Sequence, residues 1–136
     1  MKKIFIALGI ALFASGAVLA QPDKPAPLET EMAGQVYLCG LNAQLADITK
    51  GPKQKGLLEE ARACAEKSRE KVKSLVKQEY AKYPDGDSIR LKIKALYAAY
   101  LTYLDSAMWG RDLTESKEAL AFKDRVSEYK VELELR

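Results

Sequence analysis

The sequence predicts an all-α fold, a four-helix bundle-like arrangement of antiparallel helices whose first hairpin is stapled by a disulfide. From Leu28 onward, apolar residues recur at intervals of three and four with no sustained alternation, which is the helical period. Turn-forming residues interrupt this pattern at three points and divide it into four helices. The only two cysteines, Cys39 and Cys64, lie at equal distances from the first interruption.

The first twenty residues have the composition of a bacterial secretory signal peptide. Lys2 and Lys3 form a short cationic start, an apolar stretch follows as far as Ala14, and small residues lead to a predicted cleavage after Ala20. The apolar stretch is shorter than the about 20 residues that a membrane anchor needs. We therefore expect a periplasmic or secreted protein that has no integral membrane segment after cleavage.

Cleavage at this point would leave 116 residues with 20 basic and 19 acidic side chains, a net charge of +1. Residues 21–27 contain three prolines and no apolar periodicity, so we expect an extended tether there. The remaining length suits one domain, which we assign to residues 28–136.

The first helix is predicted over residues 28–49. Apolar residues at steps of three and four define its inner face: Leu28, Met32, Val36, Cys39, Ala43 and Ala46. Four further apolar residues are expected to widen that face: Leu38, Leu41, Leu45 and Ile48. Gly34 and Gly40 weaken the helix by about 1 kcal/mol each or allow another helix to approach closely. Gly51, suited to a left-handed cap, and Pro52 end the helix.

The second and third helices follow the same period. The second is predicted over residues 53–83, with an inner face that includes Leu58, Ala61, Ala65, Ser68, Val72 and Leu75. Residues 84–87 have the composition of a turn. The third helix is predicted over residues 88–109, and its segment 95–104 carries no charge. A helix that is apolar nearly all round is either central in a bundle or covered by something else.

The fourth helix is predicted to begin after Gly110. Asp112 is the expected N-cap, with Glu115 three residues on in the pattern of a capping box. Its inner face runs towards the C-terminus through Ala119, Phe122, Val126, Tyr129 and Leu133.

Cys39 and Cys64 are expected to form a disulfide. Their midpoint falls between Gly51 and Pro52, and residues equidistant from the turn of an antiparallel hairpin lie at about the same height. An oxidising compartment favours pairing. A metal site is disfavoured, because the chain has no histidine and two cysteines alone make a poor zinc site. Closing this loop would stabilise the fold by roughly 3 to 4 kcal/mol.

Aromatic residues of the third helix are candidates for a partner-binding surface: Tyr97, Tyr100, Tyr103 and Trp109. Aromatic side chains with polar tips are enriched at protein interfaces. The same side chains would also suit the core of the bundle and its boundary. The sequence leaves both alternatives open.

Lysines of the second helix are candidates for contact with an anionic surface: Lys67, Lys71, Lys73 and Lys77. Residues 50–94 hold 13 basic and 7 acidic side chains, and such an excess attracts anionic lipid or an acidic partner. The lysines alternate with glutamates, however, which favours a solvated helix face. No nucleic-acid-binding motif is present, so we expect no nucleic-acid partner.

The sequence predicts no catalytic residues, no metal and no cofactor. Without histidine, the chain has no Ser-His or Cys-His nucleophile pair and no histidine ligand for haem. We therefore predict a non-catalytic exported protein that binds a protein of the cell envelope as an inhibitor, an immunity protein or an adaptor. A homodimer is a further alternative. The alternative function is that of an envelope-stress, chaperone-like protein associated with anionic membrane surfaces.

Overall fold

The computed structural model of the protein describes residues 26–136, and these form four helices packed on one another with no β-strand among them. The helices are α1 (Leu28–Ile48), α2 (Pro52–Tyr80), α3 (Ser88–Met108) and α4 (Lys117–Glu134). The predicted fold class is confirmed. The predicted signal peptide, its cleavage site and most of the tether lie outside the described residues.

Successive helices are antiparallel. Contacts between α2 and α3 run in opposite order along the two helices: Ser68 meets Tyr100, whereas Tyr80, later in α2, lies under the guanidinium of Arg90, earlier in α3. Ion pairs and hydrogen bonds between α3 and α4 follow the same antiparallel order. Both helices of the α1/α2 hairpin pack against α3, and α4 packs mainly on α3.

The inner face of α1 is confirmed, since all six residues predicted for it are buried. Burying these apolar side chains, at about 25 cal/mol per Å² removed from water, is the main force that holds the hairpin to α3. The central part of the core is filled by large side chains of three helices: Met32, Val36, Val72, Ile93, Leu96 and Tyr100.

The prediction that four further residues widen the inner face of α1 is wrong. Leu38, Leu41, Leu45 and Ile48 are 41 to 76% exposed. Each of them follows an inner-face residue by two positions, as Leu41 follows Cys39. Two positions rotate a helix by about 200°, so these side chains lie on the opposite side. The helix α1 therefore has two apolar faces, one buried and one exposed.

The disulfide between Cys39 and Cys64 is confirmed, with 5.5 Å between the two Cα atoms. The turn between α1 and α2 lies midway, as expected. Its Gly51 has φ of 87° and ψ of −160°, an extended mirror-image conformation that is essentially restricted to glycine, and so differs from the left-handed cap predicted for it. The bond is consistent with an oxidising compartment. None of the helices within residues 26–136 is long and apolar enough to cross a bilayer.

Two helix ends differ from the prediction. The helix α2 ends at Tyr80, three residues before the predicted end, and the chain continues in a tighter turn in which Tyr83 N–H donates to the Tyr80 carbonyl. Pro84 has no N–H and so cannot donate a helical hydrogen bond to that carbonyl. The helix α4 begins at Lys117 and its N-cap is Ser116, whose hydroxyl accepts a hydrogen bond from the Ala119 N–H at 3.2 Å. Asp112 caps a separate short turn instead, by accepting hydrogen bonds from the backbone that follows it.

Candidate functional site

A groove of about 460 Å³ lies beside the turn of the α1/α2 hairpin. It is lined by the last third of α1, the first two thirds of α2 and the end of α3. Apolar side chains form much of its surface: Ala43, Leu58, Ala61, Ala65, Met108 and Trp109. Charged side chains surround them: Asp47, Arg62, Glu66, Arg69 and Asp105. This groove is the candidate functional site of the described chain.

The groove lies at this end of the bundle because the inner residues here are small. Ala43, Ala61 and Ala65 are buried, and alanine allows α1 and α2 to pack closely while filling little of the space beside α3. Further along the bundle, the larger side chains of Val72 and Tyr100 fill the corresponding space. The groove thus follows from the distribution of side-chain volume along the hairpin.

Trp109 stands at the edge of the groove with 85% of its surface exposed. A Schellman motif places it there: Gly110 has φ of 70°, its N–H donates to the Ala107 carbonyl at 3.1 Å, and the Arg111 N–H donates to the Ser106 carbonyl at 3.4 Å. This motif ends α3 after Met108, so the backbone of Trp109 is fixed. The groove therefore has a large exposed aromatic ring on a backbone held by hydrogen bonds.

The charges around the groove are of both signs. Arg69 and Asp105 form an ion pair that joins α2 to α3 at one side of the groove. Asp47, Arg62 and Glu66 make no ion pair with another part of the described chain. These three charges are available to groups of opposite sign on a partner.

The structure divides the predicted aromatic cluster. Tyr100 is buried, its hydroxyl lies 2.6 Å from the Ser68 hydroxyl, and its ring stacks on Tyr97 with 6.1 Å between centroids. Tyr103 is also buried, and its hydroxyl donates to the Leu113 carbonyl. Burial raises the pKa of both Tyr100 and Tyr103, which stay neutral. The core alternative applies to these two.

Trp109 and the half-buried Tyr97 are the aromatic residues of the cluster that a partner could reach. Of the two, only Trp109 lines the groove. Their role in binding stays a prediction.

The four candidate lysines of α2 are all exposed but do not form one surface. Lys67 and Lys71 are four residues apart and share one side of the helix, and Lys73 and Lys77 share another. Lys73 follows Lys71 by two positions, a rotation of about 200°, so the mean directions of the two pairs differ by roughly 120°. Lys71 is also engaged by Glu31 of α1, and its hydrogen bond lowers the pKa of that carboxylate. Contact of these lysines with an anionic surface stays a prediction.

The titratable side chains that line this groove are the carboxylates Asp47, Glu66 and Asp105 and the arginines Arg62 and Arg69. Its lining, as far as the chain is described, includes no serine, threonine, cysteine, lysine or tyrosine that could act as a nucleophile. Residues 26–136 contain no cluster of three or more cysteine or carboxylate side chains that could hold a metal ion. What the groove offers is an apolar surface, a tryptophan and charges of both signs.

Sequence reasoning identified Trp109 but missed the other groove residues. Leu58 is predicted to lie on the inner face and is 39% exposed at the groove. Asp47 and Met108 are not among the predicted core or binding residues. Buried alanines such as Ala43, Ala61 and Ala65 are common on the inner faces of packed helices, so they do not reveal a groove in the sequence. Comparisons of the chain with protein-family models, with curated proteins and with solved structures give no match.

Proposed function

We propose that the protein is a non-catalytic exported binding protein whose groove receives a segment of another protein, with Trp109 as the anchor. The observation that carries this proposal is an 85% exposed tryptophan on a fixed backbone beside an apolar groove. Tryptophan and arginine are the residues most enriched among those that contribute most to protein–protein binding. Both occur here within one concave surface.

The shape of the site favours a macromolecule over a small molecule. Small-molecule sites enclose most of the ligand surface, with the aromatic side chains of the lining turned inward. The Trp109 ring is almost entirely exposed, so most of its apolar area is covered only by a partner that extends beyond the groove. A folded protein that inserts one or two apolar side chains would fill the groove and would also cover the Trp109 ring.

The charges favour a protein partner over an anionic membrane. Arg62 attracts an acidic group, whereas Asp47 and Glu66 attract a basic one. Lipid headgroups of a single sign would be repelled by part of this rim, while a protein segment with both charges would match it. Because dissolved ions screen exposed ion pairs, we expect binding through this groove to weaken as the salt concentration rises.

The test is affinity capture from a periplasmic extract of the source bacterium, followed by titration of the purified partner. Trp109→Ala removes the anchor, and Leu91→Ala is the matched control because Leu91 is 67% exposed on α3 away from the groove. We expect Trp109→Ala to weaken binding by at least about tenfold, which corresponds to the 1.4 kcal/mol or more typical of a central aromatic anchor.

Intrinsic fluorescence supplies the second readout. Trp109 is the only tryptophan of the chain, so a partner without tryptophan that covers the groove shifts its emission to shorter wavelength. Equal binding by wild type and Trp109→Ala would contradict the proposal, as would a partner that binds without any change in Trp109 emission.

A further inference from the structure

We propose that the exposed face of α1 is a self-association surface, through which two copies of the chain pair with their α1 helices antiparallel. This face does not include the groove and its role does not depend on the proposed function. It is made of the four exposed residues Leu38, Leu41, Leu45 and Ile48, which we call the outer seam.

The outer seam has the spacing of a coiled-coil helix. Its members follow one another at intervals of three, four and three, so they form a continuous row along the helix. The row points away from α2, α3 and α4, and its side chains are 41 to 76% exposed. Tyr37, which is 52% exposed, lies beside the row and extends the apolar area. Nothing in the described chain covers this surface.

The absence of charge favours a second copy of this chain over a different protein. Residues 32–46 include no charged side chain, and the positions that flank the outer seam are uncharged: Gln35, Tyr37, Asn42, Gln44 and Thr49. Pairing with a different helix is usually selected by complementary charges at these flanking positions. Here there is no charge to select a different helix and none to repel an identical one.

The seam is also self-complementary. With two α1 helices antiparallel, one register sets Leu41 of one copy against Leu45 of the other, and Leu38 against Ile48. All four large side chains then lie in four consecutive layers related by a two-fold axis, which is the symmetry of most protein dimers. Gly34 falls outside these layers, so no layer is left without a side chain.

The area is sufficient for a modest dimer. Tyr37 and the four seam residues expose on the order of 500 Å² per copy, so two copies approach the about 1,000 Å² that a specific interface requires. This is the size of the largest apolar patch on a typical monomer, about 300 to 600 Å², and such patches are often functional. An interface of this size is at the low end for specific complexes, so we expect a weak dimer that forms between micromolar and millimolar concentration.

Dimerisation would leave the groove open. The α1 residues of the groove, Ala43 and Asp47, are four apart and share the side of the helix that faces α2 and α3. The outer seam lies on the other side. A dimer would therefore carry two grooves, and it would bind a partner with two equivalent segments more tightly than a monomer.

The test is sedimentation velocity of the exported protein over a wide concentration range. Leu45→Glu places a charge in the middle of the seam, and Leu120→Glu on α4 is the matched control, since Leu45 is 47% exposed and Leu120 is 49% exposed. We expect wild type and Leu120→Glu to dimerise with the same dissociation constant. Leu45→Glu should raise that constant at least about 100-fold, because a carboxylate buried without a partner has a cost of several kcal/mol.

Circular dichroism and an intact disulfide verify that each variant is folded. If Leu45→Glu fails to fold, Leu45→Ala serves instead, with an expected rise of about tenfold in the dissociation constant. A wild type that stays monomeric up to millimolar concentration would overturn the proposal. So would a dimer that Trp109→Ala dissociates and the Leu45 variants do not, because the groove would then be the interface between copies.

Discussion

The helices α1 and α2 form one hairpin and share one disulfide, yet their outward surfaces differ completely. Both bury an inner face of small and apolar residues against the rest of the bundle. Outside, α1 carries no charge over residues 32–46, whereas residues 59–79 of α2 include eleven charged side chains. Equal packing on the inside is therefore combined with opposite chemistry on the outside.

Because of this difference, the charged outward face of α2 favours contact with water, whereas the apolar outward face of α1 favours being covered by a partner. A partner that covers the outward face of α2 would have to desolvate many charges, each at a cost unless it is paired. A partner that covers the outer seam of α1 would bury apolar area, which is favourable at about 25 cal/mol per Å². The fold places both surfaces on one hairpin, so variants of the two helices can be compared directly.

The largest expected effect comes from removing the bond that joins the two helices. We expect Cys39→Ala/Cys64→Ala to lower the free energy of unfolding by about 3 to 4 kcal/mol, because the unfolded chain regains the freedom of a closed loop with a sequence separation of 25. Chemical denaturation of wild type and variant at equal protein concentration measures the difference.

Reduced wild type is the control for the alanine substitutions. It lacks the bond but keeps both sulfur atoms, and Cys39 is completely buried. We therefore expect it to be at least as stable as the double variant. A loss of less than about 1 kcal/mol in both proteins would show that packing alone aligns the two helices, contrary to the loop-closure account.

The next effect compares the two faces of α1 through its two glycines. A Cβ atom at Gly34, on the outward side, would meet nothing within 4 Å, whereas one at Gly40 would lie 2.6 Å from a methyl carbon of Leu113 and 3.2 Å from the Cβ of Ala107. Both alanine variants gain the same helix propensity, up to about 1 kcal/mol. We expect Gly34→Ala to stabilise the protein and Gly40→Ala to be about 1 to 3 kcal/mol less stable than Gly34→Ala, because the core around Gly40 is filled.

Thermal or chemical unfolding of the two glycine variants at one protein concentration gives this difference, and their shared propensity gain cancels. The Leu113 methyl group can move by rotation of its side chain, whereas the Cβ of Ala107 moves only with the backbone of α3, so the contact with Ala107 is the one that resists the added methyl group. Equal stabilities of Gly34→Ala and Gly40→Ala would mean that the close approach at Gly40 contributes nothing to the choice of glycine.

The buried face of α1 was predicted correctly from the sequence, and its exposed apolar face was not. Steps of three and four fix which residues share a face, so the buried face of α1 and the partner of Cys39 both followed from spacing. Leu41 and Leu45 were assigned to the buried face on composition, although they lie about 200° from Cys39 and Ala43. An angular assignment would have revealed the second apolar face.

The groove depends on features that no single helix encodes. Its lining comes from three helices, and its volume results from small residues at one end of the hairpin meeting the point where α3 stops. Gly110 is a recognisable end of α3, but the position of Trp109 relative to Ala43 and Ala61 is set only by the tertiary packing. The start of α4 was misplaced for a simpler reason: Asp112 and Ser116 are both good caps, and the sequence does not rank them.

The smallest expected effect concerns the charged outward face of α2. We expect Lys73→Glu/Lys77→Glu to change the free energy of unfolding by about 0.5 kcal/mol or less. Both side chains are exposed, and the two positions, four residues apart, carry like charges before and after the change, so the repulsion between them is unchanged. Binding to anionic vesicles at low salt should be absent in wild type and variant, since the two lysine pairs of α2 point to different sides. Vesicle binding by wild type that falls with salt and disappears in the double variant would instead favour the membrane-surface function. The outward faces of α1 and α2 would then both be binding surfaces, one for an apolar helix and one for an anionic layer, and charge would no longer mark the face that stays in water.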